Sequence, residues 1–163
     1  MSKTILITGG SEGLGKAIAQ KLAPNNKVVI LARHEDKLKA VASEIGCDFL
    51  VCDVMDYDQI ENSVKRILEK YKKIDVLINS AGLWITGELT SNSPDQIHKL
   101  LEVNTLGTML FSRAVIPAMK EQKNGLIINI ISDAGLRPKA ERTVYNASKY
   151  ALTGFTKSLE MEL

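Results

Sequence analysis

Short apolar runs alternate with segments of helical period along the whole chain. Ile5-Leu6-Ile7, Val28 to Leu31, Phe49 to Val51, Val76 to Ile78 and Leu126 to Ile130 are too short for helices and mostly bulky or β-branched. They predict five buried strands. Between them, Leu14, Ile18 and Leu22 share one helical face, as do Leu38, Val41, Ala42 and Ile45, and then Ile60, Val64, Ile67, Leu68 and Tyr71. These are expected to be crossover helices. Strand, helix and strand joined by short connections imply right-handed βαβ units, and so an α/β three-layer sandwich with a parallel sheet covered on both faces. After the fourth strand the rhythm lengthens. A polar stretch, Thr90 to Pro94, precedes helices expected near 95–101 and 104–120, with Pro117 bending the end of the second. The segment 143–163 has helical spacing, and no linker or repeat interrupts residues 1–163, which are expected to form one domain.

Composition narrows the partners. With 45% hydrophobic and 25% charged residues the chain can bury a core. A net charge of +2 gives no general attraction to nucleic acid or an anionic membrane. No apolar run approaches the ~18 residues of a membrane span, and Met1-Ser2-Lys3 leads into a strand rather than a secretory leader. Cys47 and Cys52 flank the third strand, roughly 16 Å apart at the strand rise per residue. That is too far for a disulfide, and without a CxxC motif or nearby histidines no metal site is expected. Reduced thiols and a cytoplasmic location fit this pattern.

The first strand runs into Thr8-Gly9-Gly10-Ser11-Glu12-Gly13-Leu14-Gly15. A glycine-rich turn at a helix N-terminus aims backbone N–H groups and the positive end of the helix dipole at an anion, and the missing Cβ atoms let phosphates come close. Gly10, Gly15 and Lys16 also match a P-loop, but Ala17 stands where Ser or Thr must bind Mg²⁺. Gly9-x-Ser11-x-Gly13 spells a hydrolase elbow, with no earlier strand to supply an oxyanion loop. Tight turning alone is the bland reading of the same glycines. The dinucleotide reading gains from the end of strand two, where a dinucleotide fold meets the adenosine ribose. Ala32-Arg33 stands there in place of the Asp or Glu that NAD enzymes use. A guanidinium pairs with a 2′-phosphate and stacks on adenine, so NADP(H) is preferred, with NAD(H) possible.

At the other end, Tyr145 and Lys149 stand at i and i+4 on the final helix, a spacing that brings phenol and ammonium to one face. A cation within ~4–6 Å lowers a phenol's pKa toward proton transfer near neutrality. Ser132 and Asn79 are expected at strand ends, where a parallel sheet presents its ligands, and the bland reading of a serine there is that it only forms the turn.

Together these motifs resemble the short-chain dehydrogenases/reductases: Thr8-Gly9-x-x-x-Gly13-x-Gly15, Asp53-Val54, Asn79-Ser80-Ala81-Gly82, Asn104, Ser132 and Tyr145-x-x-x-Lys149 occur in the family's order and approximate spacing. The resemblance implies a Rossmann-type fold and a Ser-Tyr-Lys site that interconverts a carbonyl and a secondary alcohol. Tyr145 would be the general acid/base. Lys149 would lower its pKa and hold the nicotinamide ribose, Ser132 would bond the substrate oxygen, and Asn104 would support a water-linked proton relay through Lys149. Gly9, Ser11, Gly13, Leu14 and Gly15 would wrap the pyrophosphate. Arg33 would take the 2′-phosphate, Asp53 and Val54 the adenine, and Asn79, Ala81 and Gly82 the central cofactor path. The segment from Leu83 to Ser91, with Trp84, would border the substrate.

Family members continue past the Tyr/Lys helix with two more strands, a Pro-Gly turn and a substrate loop, whereas this sequence stops at Glu162-Leu163. The resemblance therefore implies a piece of a longer protein, with strand five left as an apolar edge and the nicotinamide and substrate pockets incomplete. Two function classes follow. One is an NADP(H)-dependent oxidoreductase for a small alcohol or carbonyl, forming a homodimer or homotetramer through the helices near 104–120 and 143–163. The other is a catalytically incomplete nucleotide-binding or interaction module.

Overall fold

The structure is a computed structural model that describes residues 2–163. Five parallel strands form one sheet: β1 (Thr4–Thr8), β2 (Lys27–Ala32), β3 (Asp48–Val51), β4 (Val76–Asn79) and β5 (Leu126–Asn129), in the order β3-β2-β1-β4-β5. The predicted Rossmann-type sandwich is therefore the observed fold, with the order reversing at β1. Two layers of helix cover the sheet. On one face, Ile5, Ile7, Val28, Ile30 and Ile78 pack against Ala19 of α1 (Gly13–Leu22) and against Leu38, Val41 and Ala42 of α2 (Glu35–Ile45). On the other, Leu6, Val29, Leu31 and Leu77 meet Ile60, Val64 and Ile67 of α3 (Tyr57–Tyr71). Phe111 and Val115 of α5 (Gly107–Glu121) join that second core. Alternate residues of each strand serve opposite faces, which is why these strands read as continuous apolar runs.

Two expectations are corrected. Leu14 was expected on the buried face of α1 with Ile18 and Leu22, yet it is 55% exposed, and Gly15 and Ala19 are the buried residues. Only small residues allow the helix start to press onto the glycine turn, so the larger Leu14 is left outside. Strand five ends at Asn129, short of the expected Ile130. It is an edge with Leu126 and Ile128 exposed, as anticipated, but a short one.

Between β4 and β5 the chain forms α4 (Pro94–Leu101), a π turn over Glu102–Leu106, and α5 without a break. A capping box at α4, in which Ser93 and Gln96 bond each other's backbone N–H groups, fixes where it starts. The last helix, α6 (Thr143–Glu162), lies on the α5 side, tied to β5 by Asn129 Nδ2 donating to Thr156 Oγ1 at 2.9 Å. Among the described residues, no helix is long and apolar enough to cross a membrane.

Candidate active site

The strand order reverses between β1 and β4, and the loops leaving these two strands open a crevice there. Their approach is close. A Cβ on Gly9, whose φ is +68°, would lie 2.8 Å from Ala81 Cα. Thr8 at the end of β1 accepts, through Oγ1, the N–H groups of Ser80 and Ala81, both at 3.1 Å. Thr8 thus locks the two loops into one floor. Gly13, at φ +55°, has nothing within 4 Å of where its Cβ would stand, so its open side faces the crevice.

The resulting cleft has a volume of about 400 Å³, within the range of small-molecule sites. Gly9, Ser11, Gly13, Leu14 and Gly15 line one part of it, Arg33 the outer end, Asp53 and Val54 one wall, Ala81 and Gly82 the middle, and Tyr145 and Lys149 the far end. Twelve positions named from sequence, drawn from five separate segments of the chain, thus meet on one surface. Cleft-lining residues that the sequence reading missed include Glu12, His34 and Lys37. Lys37 donates to Glu12 Oε2 at 3.1 Å across the outer end. A signal existed, since Lys37 lies one turn beyond Arg33.

Tyr145 and Lys149 share one face of α6, with Lys149 Nζ 5.6 Å from the phenol ring centroid. Lys149 is 6% exposed, and burial pushes its ammonium below the usual lysine value. Its Nζ donates to Ile130 O at 2.9 Å. An ammonium buried with so little compensation opposes folding. We therefore expect Lys149→Met to raise the melting temperature by roughly 2–4 °C, corresponding to about 1 kcal/mol in a domain of this size. Because the folded pKa is depressed, the wild type's deficit is full below that pKa and is relieved as pH rises toward the unfolded value near 10.5. Calorimetry of both proteins between pH 7 and 10 should show the gap narrowing as pH rises.

Three named residues are placed otherwise. Asn104 and Asn79 are 0% and 3% exposed and do not line the cleft. The π turn carries Asn104 inward, where its amide pairs with the backbone of Leu83: Oδ1 accepts from Leu83 N at 2.6 Å, and Nδ2 donates to Leu83 O at 3.0 Å. Nδ2 also donates to Ser148 Oγ at 3.3 Å. Asn104 thereby fastens the loop after β4 to α6, and its amide is committed to these partners rather than to Lys149. Asn79 Nδ2 donates to Asn129 Oδ1 at 2.9 Å and to Ser112 Oγ at 3.2 Å, joining β4 to β5 and α5 behind the cleft. Ser132 also lies off the lining, at φ +84°. Once β5 has ended, its Oγ turns back to cap the short 3-10 turn Asp133–Gly135, accepting from Ala134 N at 3.3 Å and donating to Asp133 Oδ1 at 3.1 Å. Capping the turn's free N–H and bonding an ionised carboxylate hold the hydroxyl there. Lys139 first, and Ser132 second, keep the Asp133 carboxyl below its usual pKa.

The two cysteines are free, and no group of three His, Cys, Asp or Glu among the described residues is placed to hold a metal. Burial pushes the Cys52 thiol up to about 11, so it packs as an inert hydrophobe.

The sequence profile of the short chain dehydrogenase family matches residues 3–163. An uncharacterized oxidoreductase of Staphylococcus saprophyticus is 36% identical over 168 residues, covering 99% of this chain and 72% of that protein. Carbonyl reductase family member 4 of Xenopus tropicalis is 36% identical over 165 residues, covering 100% of this chain and 70% of that one. Among solved structures, a metagenomic short-chain oxidoreductase in complex with NADP superposes with a TM-score of 0.92 at 38% identity, over 99% of this chain and 76% of that one. A short-chain dehydrogenase from Streptomyces avermitilis gives 0.94 at 30% identity, over 99% of this chain and 61% of that one. The doubly wound sheet, the cleft at its switch point and a match along essentially the whole sequence agree: the chain belongs to the short-chain dehydrogenase family of oxidoreductases.

Proposed function

We propose that the cleft binds NADP(H) and that Tyr145 and Lys149 handle the proton in the interconversion of a carbonyl and a secondary alcohol. The observation carrying this reading is that one cleft holds a glycine turn with a basic rim at one end and a phenol beside a buried ammonium at the other. The residues present fit the cofactor: the open side of Gly13 leaves room for the pyrophosphate on the N-terminus of α1, and Arg33 and Lys37 supply cations for a 2′-phosphate. Similarity to a structure bound to NADP supports the same choice. When bound, the nicotinamide supplies or accepts the hydride.

The chain's own residues supply orientation and proton handling. Tyr145 gives its proton to the carbonyl oxygen in reduction and takes one from the alcohol in oxidation. Lys149, fixed by Ile130 O, stabilises the phenolate between these steps. Asn104 acts as a positioning residue through its hold on the Leu83 loop. To bond the substrate oxygen, Ser132 must give up its present contact with Asp133. Exposed Leu106 on the π turn and Tyr150 on α6 mark the surface where a second copy would pack.

The full chain should bind NADPH and reduce a simple ketone. Binding without turnover would favour the nucleotide-binding module, and no binding would overturn the reading. Arg33→Ala should weaken NADPH about 10–100-fold, the worth of a charge-assisted hydrogen bond, and should leave NADH within about threefold. Fluorescence titration of both cofactors measures this. Equal losses would remove Arg33 from the 2′-phosphate site.

A further inference from the structure

Trp84 is the only tryptophan of the chain, and it lies in the cleft on the loop after β4. Its ring meets Tyr145 edge-on, with centroids 4.3 Å apart and planes at 62°. The guanidinium of Arg142, the residue capping the start of α6, lies over the indole 4.6 Å from its centroid. Arg142, Trp84 and Tyr145 therefore form a stack ending on the proton-transfer phenol. The stack is anchored: Gly87 N donates to Glu141 O at 2.8 Å, bringing the Trp84 loop against the start of α6, and Asn146 Nδ2 donates to Lys139 O at 2.9 Å.

We propose that Arg142 and Trp84 determine substrate specificity by selecting a carbonyl compound that carries a carboxylate a few bonds from the reacting carbon. Among the described residues, no ion pair or side-chain hydrogen bond occupies the Arg142 guanidinium. A guanidinium laid over an aromatic ring spends its π surface there and keeps its in-plane N–H fork free, which is the geometry that grips a carboxylate in two bonds. The fork is one indole away from the phenol. A substrate whose carbonyl oxygen meets Tyr145 can run its carbon chain along the half-exposed Trp84 and end its carboxylate on Arg142. A neutral ketone gains only the apolar wall.

This inference rests on the proposed carbonyl chemistry at Tyr145, so its test reads binding separately. Trp84 emission reports its own site. It should be titrated with 5-oxohexanoate and with the methyl ester of that acid, in the full chain with and without saturating NADPH. The acid should half-saturate at a concentration at least tenfold below the ester, and raising the salt should weaken the acid alone. Arg142→Gln should reduce the acid-to-ester preference to within twofold, and Arg142→Lys, which keeps the charge and loses the fork, should fall between. NADPH affinity, measured from cofactor fluorescence, should not change in either variant. Equal binding of acid and ester, no response from either, or a preference that survives in both variants would overturn the proposal. Failure of NADPH to bind while the acid preference persists would instead overturn the cofactor reading and leave an anion site at Arg142.

Discussion

Tyr145→Phe is expected to lower carbonyl reduction about 10²–10⁴-fold, the usual worth of a positioned general acid, while leaving NADPH affinity within about twofold. The substitution removes one oxygen and keeps the ring, so the edge contact with Trp84 and the position of α6 are preserved. Lys149 keeps its bond to Ile130 O, which does not involve the phenol. Loss of turnover therefore isolates proton transfer from folding and cofactor binding. Steady-state rates in an active form of the enzyme, paired with a fluorescence titration, check both halves. Turnover at the wild-type level would remove Tyr145 from the chemistry, and a matching loss of NADPH affinity would show that it acts by holding the cofactor.

The other large effect concerns the glycine turn, where two glycines are required for different reasons. A Cβ on Gly15 would overlap the carbonyl oxygen of Gly9 and lie 2.8 Å from its carbon. Both atoms are backbone at the end of β1, so no side chain can swing aside. Gly15→Ala should destabilise by about 3 kcal/mol or more, a fall in melting temperature of roughly 10 °C for this size. Gly13→Ala meets open space and strains only its left-handed backbone, at about 1–2 kcal/mol. Its methyl would nevertheless stand where phosphates are proposed to sit. Gly13→Ala should then cost at least tenfold in NADPH affinity with a modest loss of stability, whereas Gly15→Ala should lose both together. Thermal melts and titrations of the pair check this, and an unshifted melting temperature in Gly15→Ala would contradict the close packing.

Much of the sheet was legible because buried parallel strands leave an unambiguous trace. Ile5 to Ile7, Val28 to Leu31 and Val76 to Ile78 are apolar on both faces, and a helix of that composition would be too short to form. Strand five was legible in existence and wrong in extent. Ile130 is as apolar as Ile128, and what ends the strand is where ladder pairing with β4 stops, at Asn79 opposite Asn129. Leu14 misled for a related reason. Periodicity says which residues share a helical face, but the tight approach of the glycine turn decides which part of that face reaches the core.

For the candidate site, residue type and position marked the glycine turn and Arg33 as candidates, whereas an i, i+4 pair is common by chance, and Tyr145 and Lys149 gained their roles from the order of several motifs along the whole chain. The partners of Asn104, Asn79 and Ser132 could not be named in this way. They depend on a π turn that rotates one amide inward, on a strand register that brings Asn79 beside Asn129, and on a 3-10 turn that competes for a serine hydroxyl.

By itself, then, the sequence determined the alternation of strands and helices, the chemical groups available and the family they suit, since these depend on local periodicity and on residue type. Only the tertiary structure decided that β1 and β4 part to open the cleft, that Ser132 bonds Asp133, and that Arg142 lies over Trp84 beside the phenol. These are contacts between segments far apart in sequence or choices between competing hydrogen bonds, and their energies exist only once the chain has closed on itself.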